Sequence, residues 1–208
     1  MENKYYLNYF ESIEKGLENS EYFVNNKNTN PALFFTEINQ ILNTLRTSRN
    51  KIFFFGNGAS AAFANHMALD FSKNGKILSR SLSDSALLTA LANDYSYENS
   101  MLEYLKIESV NKEDFVVTIS SSGNSENIIN VLNYCKENNI KTLSLSGLKK
   151  DNKSIFLANF SIYVPMKTYG MVECIHQIFL HLILDRSMEI FEWDRSEFQN
   201  MNAKYLKY

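Results

Sequence analysis

The sequence predicts an α/β fold: a three-layer αβα sandwich on a five-stranded parallel sheet, with an N-terminal helical extension. Three observations carry that expectation. From Lys51 onward, short apolar runs rich in β-formers alternate with helical stretches, the pattern of βαβ units. The runs are apolar at nearly every residue, as strands covered on both faces are, and do not alternate as half-exposed strands do. The 208 residues, with 45% hydrophobic and 21% charged side chains, have ordinary globular composition, which excludes disordered, collagen-like and coiled-coil chains.

Residues 1–50 read as two helices. Tyr5, Tyr6, Tyr9, Phe10, Ile13 and Leu17 recur at three-to-four spacing, and Leu33, Phe34, Ile38, Ile41, Leu42 and Leu45 do so after Pro31. The polar run 25–30 separates them. Their apolar faces suit a cap over the core or contact with another subunit, and residues 51–208 are assigned to the sheet domain. Strands are expected at 52–55, 77–82, 115–119, 142–145 and 160–164. Helices are expected at 59–72, 83–92, 97–109, 125–138 and 170–192, with a last one over 194–205.

The net charge of −2 and the lack of any dense Lys/Arg tract argue against nucleic acid or an acidic membrane surface as partner. A small anion held by local donors stays possible. Cys135 and Cys174 are too few for a disulfide framework and read as free thiols in a reducing compartment. The start carries no basic segment followed by an apolar one, and no apolar run approaches the ~18 residues of a membrane span. A cytoplasmic location is expected.

In such sheets ligands bind beyond the carboxyl ends of the strands, and two strand-to-helix loops there are unusual. Gly56-Asn57-Gly58-Ala59-Ser60 follows the first strand; its glycines permit a sharp turn and close backbone approach to a ligand. Ser120-Ser121-Ser122-Gly123-Asn124-Ser125 follows the third; its hydroxyls and the N–H groups of the next helix can hold a phosphate. Each could instead be a capped turn, but a cap needs one serine and the second loop has four. Neither fits a Walker loop or a complete dinucleotide fingerprint, which argues against a nucleotide cofactor.

His66 and Asp70, four apart on a helix, share one face. Glu173, His176 and His181 lie on the long late helix, where Glu173 and His181 stand about 12 Å apart along the axis. Either the helix starts irregularly at Glu173, or the site combines more than one subunit. Two histidines and two carboxylates can bind a zinc-like cation. A lone histidine on an apolar helix is more often a core residue bonded to a backbone carbonyl, the role assigned to His176.

The order of these pieces, Gly56 to Ser60, the His66 helix, Leu91-Ala92-Asn93-Asp94-Tyr95, Ser120 to Ser125 and the helix with Glu173, His176 and His181, resembles the SIS (sugar isomerase) domain family. Within it the chain is similar to the phosphoheptose isomerases, which convert sedoheptulose 7-phosphate into an aldose heptose 7-phosphate. The likeness runs from about Lys51 to Asp185. It implies a divalent metal, zinc by preference, on His66, Asp70, Glu173 and His181, with Asp70 and His181 as the acid/base pair. It implies phosphate on Ser120, Ser121, Ser122 and Ser125, and sugar contacts from Asn57, Gly58, Ala59, Ser60, Asn93, Asp94 and Glu173. It also implies a homotetramer with sites at subunit contacts.

The chemistry accounts for those demands. Ketose–aldose interconversion moves a proton between neighbouring carbons through an enediolate, which needs a base, an acid and a stabiliser of negative charge. The chain departs from the family pattern at four places. Gly58-Ala59 stands for a double glycine, Asp70 for a glutamate and Glu173 for a glutamine, and an arginine after the first domain helix has no equivalent. These departures leave room for a different phosphorylated ketose. Alternatives are a hexose or pentose phosphate isomerase, an etherase, or a non-catalytic module that binds a sugar phosphate or a partner protein. The joint presence of His181 and an acid at position 70 favours the enzyme.

Overall fold

The structure, a computed structural model, describes residues 4–194. The chain runs α1 (Tyr5–Glu18), β1 (Glu21–Val24), β2 (Lys27–Thr29), α2 (Pro31–Ser48), β3 (Lys51–Gly56), α3 (Ala59–Lys73), β4 (Leu78–Ser81), α4 (Ser85–Tyr95), α5 (Tyr97–Ile107), β5 (Phe115–Ser120), α6 (Glu126–Glu137), β6 (Lys141–Gly147), α7 (Lys153–Leu157), β7 (Phe160–Val164) and α8 (Tyr169–Ser187). The strands form one sheet in the order β2-β1-β7-β6-β5-β3-β4. From β7 to β4 every neighbour is parallel.

The apolar runs explain the layers. Successive residues of β3 point to opposite faces, so Ile52 and Phe54 join the core under α2, α3 and α8, with Phe34, Ile38, Met67, Phe71, Phe179 and Leu180. Phe53 and Phe55 join the core under α4, α5 and α6, with Leu91, Met101, Leu105, Ile128 and Leu132. This is the expected αβα sandwich, with both faces of the parallel strands buried. Cys135 and Cys174 are free.

The expected count of five strands is corrected to seven in a mixed sheet. Residues 21–29, which overlap the polar run 25–30 expected only to separate the first two helices, fold as a hairpin whose turn residues Asn25 and Asn26 have φ of 47° and 66°. Two consecutive left-handed residues make the turn that matches strand twist, and asparagine tolerates that region. β1 then pairs antiparallel with β7. The polar β2, Lys-Asn-Thr, forms the outer edge, where charge discourages pairing with another chain.

The helix expected at 83–92 is shifted, because Asp84 caps α4 by accepting from the Leu87 N–H at 2.7 Å. α7 was not expected; Asn152 caps it. α8 stops at Ser187, short of residue 192, where the Arg46 guanidinium donates to the Ser187 carbonyl at 3.0 Å and Glu189 turns left-handed with φ 58°. The helix expected over 194–205 lies, beyond its first residue, outside the described residues.

Candidate active site

The proposed residues fall into two groups. The first is at the carboxyl ends of β3 and β5. Gly58 holds φ 57° and ψ −124°, a conformation open to glycine and costly for other residues, so the turn into α3 depends on it. Ser60 is buried behind the turn, and Ala59 is exposed. The Asn57 amide is held on both atoms: its nitrogen donates to Asn127 Oδ1 at 2.9 Å, and its oxygen accepts from Asn127 Nδ2 and Tyr97 Oη, both at 2.8 Å.

The serine loop is braced from below. Gly123 has φ 62°, and a Cβ there would strike the Asn152 side chain. The Gly123 N–H donates to Ser120 O at 2.9 Å, the Gly147 N–H to Ser121 O at 3.0 Å and the Ser154 N–H to Gly123 O at 3.0 Å. Ser120 and Ser125 hydroxyls lie 3.4 Å apart. Ser122 Oγ accepts from the Asn124 N–H at 3.2 Å. Ser121 Oγ is buried without a hydrogen-bond partner.

Ser125 occupies the N-cap position of α6 but makes no capping hydrogen bond. Asn30, Asp84, Asn152 and Thr168 do cap their helices. The α6 terminus therefore keeps its partial positive charge and the N–H groups of Glu126 and Asn127, which suit an anion, while the Ile128 N–H is taken by Asn127 Oδ1. Asn93 and Asp94 lie exposed in the last turn of α4, the Asn93 amide donating to Asp94 Oδ1 at 2.9 Å.

The second group lies on the outer side of α3 and α8. His66 Nε2 and Asp70 Oδ2 are 3.2 Å apart. Across the helix pair the His66 and His181 rings stand 5.7 Å apart, edge to face. His181 Nε2 in turn lies 2.8 Å from Gln177 Nε2. The structure thus brings His66, Asp70 and His181 together. Glu173, half-buried two turns earlier on α8, makes no hydrogen bond or ion pair to them. Among the described residues no three His, Cys, Asp or Glu side chains converge to hold a metal ion within one chain. The donor types, two imidazoles and a carboxylate from two helices, are nevertheless those zinc takes.

No hydrogen bond or ion pair among the described residues joins the two groups. Beside His181 opens a groove of about 880 Å³ lined mainly by apolar side chains, Phe35, Ile178, Leu182 and Trp193 among them. His176 faces the other way, fully buried, with its Nε2 3.1 Å from Ser146 O. That is the core role expected of it. Burial holds its pKa down at about 4.

Three residues of this arrangement were not among the expected ones: Asn127, Tyr97 and Gln177. Asn127 stands in the first turn of α6, directly after the serine loop; that position can be read from the sequence, whereas its burial and its pairing with Asn57 cannot. Nothing in the sequence marks Tyr97 or Gln177, because their roles depend on which element lies opposite.

The family model described as SIS domain matches residues 36–147. A protein named phosphoheptose isomerase from Helicobacter pylori strain P12 is 30% identical over 189 residues, 88% of this chain and 91% of its own. One of the same name from Aneurinibacillus thermoaerophilus is 36% identical over 140 residues, covering 64% and 70%. Among solved structures, phosphoheptose isomerase from Neisseria gonorrhoeae superposes with a TM-score of 0.74 at 21% identity, over 89% of this chain and 98% of that one. The Francisella tularensis one does so with a TM-score of 0.75 at 18% identity, over 91% and 99%.

Proposed function

The chain belongs to the SIS-domain family and is a sugar-phosphate isomerase, and from that premise we propose that it converts sedoheptulose 7-phosphate into an aldose heptose 7-phosphate. The observation that carries the proposal is the meeting of His66, Asp70 and His181 across α3 and α8.

In this mechanism the phosphate sits on Ser120, Ser121, Ser122 and Ser125 at the uncapped start of α6, which fixes the far end of the sugar and so positions the reacting carbons. Asn57, Gly58, Ala59, Ser60, Asn93 and Asp94 contact the chain of hydroxyls, and Glu173 adds a contact from α8. Asp70 removes the proton from the carbon beside the carbonyl and returns it to the neighbouring carbon. His181 exchanges a proton with the oxygens, so that charge passes between two oxygens without free oxyanions accumulating. A divalent cation, zinc by donor type, would be held by His66, Asp70, Glu173 and His181 and would supply charge stabilisation to the developing enediolate.

No hydrogen bond or ion pair joins the two groups among the described residues, and the apolar groove flanks His181. Both features support a homotetramer in which one subunit's serine loop completes the α3–α8 cluster of another. Free Cys135 and Cys174 agree with a cytoplasmic location, and no helix among the described residues is long and apolar enough to cross a membrane.

Asp70 and Glu173, which replace a longer acid and a neutral amide of the family pattern, favour as a second reading a different phosphorylated ketose. The experiment is turnover of sedoheptulose 7-phosphate and a panel of ketose phosphates, with and without chelator, followed by aldose formation. Turnover of none of them, with Asp70→Asn and His181→Ala indistinguishable from the unaltered chain, overturns the proposal.

A further inference from the structure

The orientation of the Asn57 amide can be traced to a backbone group. The Ile128 N–H, in the first turn of α6, donates to Asn127 Oδ1 at 3.0 Å. A backbone N–H can only donate, so the Asn127 oxygen must face it. That leaves the Asn127 nitrogen to face Asn57, where it donates to Oδ1 at 2.8 Å, while Asn57 Nδ2 returns a bond to Asn127 Oδ1 at 2.9 Å. Turning Asn57 around would set nitrogen against nitrogen and oxygen against oxygen. The Tyr97 hydroxyl donates to the same Asn57 oxygen at 2.8 Å and fills its second lone pair. Asn57 is left with one free N–H and no free acceptor.

We propose that Asn127 and Tyr97 are positioning residues that fix Asn57 as a pure hydrogen-bond donor to a substrate oxygen, a specificity determinant that rests on the sugar-phosphate isomerase assignment. The three side chains come from the β3–α3 turn, the first turn of α6 and the start of α5. They tie the sugar-binding turn to the helix that follows the serine loop, so the spacing between sugar and phosphate contacts is set by one half-buried amide pair. Asn127 is only 3% exposed, and burial strengthens such a pair and raises the cost of leaving it half made.

The test uses the full chain with Asn127→Leu and Tyr97→Phe. Leu at 127 keeps the size and adds no charge near the phosphate but removes both amide atoms that face Asn57, so the Asn57 amide loses its fixed orientation. Tyr97→Phe removes one hydroxyl from an exposed ring and leaves the packing alone. The expected result is a KM for the sugar phosphate raised about tenfold in the first and a few-fold in the second, with kcat changed far less and competitive inhibition by inorganic phosphate within about twofold of the unaltered chain. A disturbed fold would weaken phosphate and sugar phosphate alike. Unchanged KM in both variants, or equal loss for both ligands, overturns the inference while leaving the isomerase assignment standing. Absence of turnover by the unaltered chain overturns the assignment, and the inference with it.

Discussion

His66 on α3 and His181 on α8 meet edge to face with 5.7 Å between ring centroids, although they are far apart in sequence. The contact follows from how α3 and α8 pack on the same face of the sheet, with Met67 and Phe71 of one and Phe179, Leu180 and Ile183 of the other in one core. Asp70, one turn beyond His66, is carried to the same place and lies 3.2 Å from it. If Asp70 is the base and His181 the acid, Asp70→Asn and His181→Ala each lower kcat by about 10² to 10⁴, the usual worth of a positioned acid or base. Both side chains lie on the outer side of their helices, so melting temperatures should hold. The check is aldose formation beside thermal unfolding; loss of activity only in step with loss of fold would count against the roles.

The contrast between Ser125 and Asn152 gives a second prediction. Ser125 makes no capping bond, so Ser125→Ala should cost less than about 0.5 kcal/mol of stability while raising KM several-fold. Asn152 is fully buried, donates to Lys149 O at 2.7 Å and accepts from Ser154 Oγ at 2.8 Å under the turn at Gly123. Asn152→Ala should cost roughly 2–3 kcal/mol, the sum of a lost cap and buried groups left unpaired. Urea midpoints and KM for the two variants decide it, and equal destabilisation would show that Ser125 is structural.

His176 predicts how stability depends on pH. Its pKa falls from the ordinary 6.5 to about 4 in the fold, mainly because burial disfavours the charged ring. The unfolded chain therefore takes up a proton at a pH where the folded one does not, and stability drops as pH falls from about 6.5 to about 4, then levels for this group. At about 1.4 kcal/mol for each pKa unit, the loss is on the order of 3 kcal/mol. His176→Gln, which keeps a donor for the Ser146 carbonyl, should flatten that slope. Denaturant midpoints measured across this range test it; the same slope in the variant would place the titration elsewhere.

What was legible in the sequence was whatever a local pattern specifies. Ile52 to Phe55 and Phe115 to Ile119 are apolar on both faces because both faces are covered, and that can be read without a structure. The turn at Gly58 was legible because a backbone with positive φ there calls for glycine, and the serine run was legible as the loop that leads from β5 into α6. The hairpin at 21–29 was not, because four residues of strand and a polar edge leave no periodicity; only the Asn25-Asn26 pair marked it. Asp70 beside His66 follows from helix spacing, whereas the approach of His181 and the grip of Gln177 on it depend on helix packing. The amide pair of Asn57 and Asn127 likewise joins residues that no local pattern relates.

The groove beside His181 supplies the last prediction. Ile178 and Leu182 lie one turn apart on α8 with 40% and 39% of their surface exposed, and Trp193 nearby is 60% exposed. A contiguous apolar surface of this kind marks an interaction site, and the proposed homotetramer would cover it with another copy. A buried charge in such an interface is left unpaired at a cost of several kcal/mol. Leu182→Glu should therefore shift the protein to smaller species in sedimentation or light scattering. Activity should fall with the assembly, because the proposed tetramer sets one subunit's serine loop against another subunit's His66, Asp70 and His181 cluster. Concentration dependence separates this from direct damage to His181, since activity recovers at high protein concentration only if assembly completes the site. A monomeric Leu182→Glu chain with full turnover would show instead that one subunit contains everything the reaction needs.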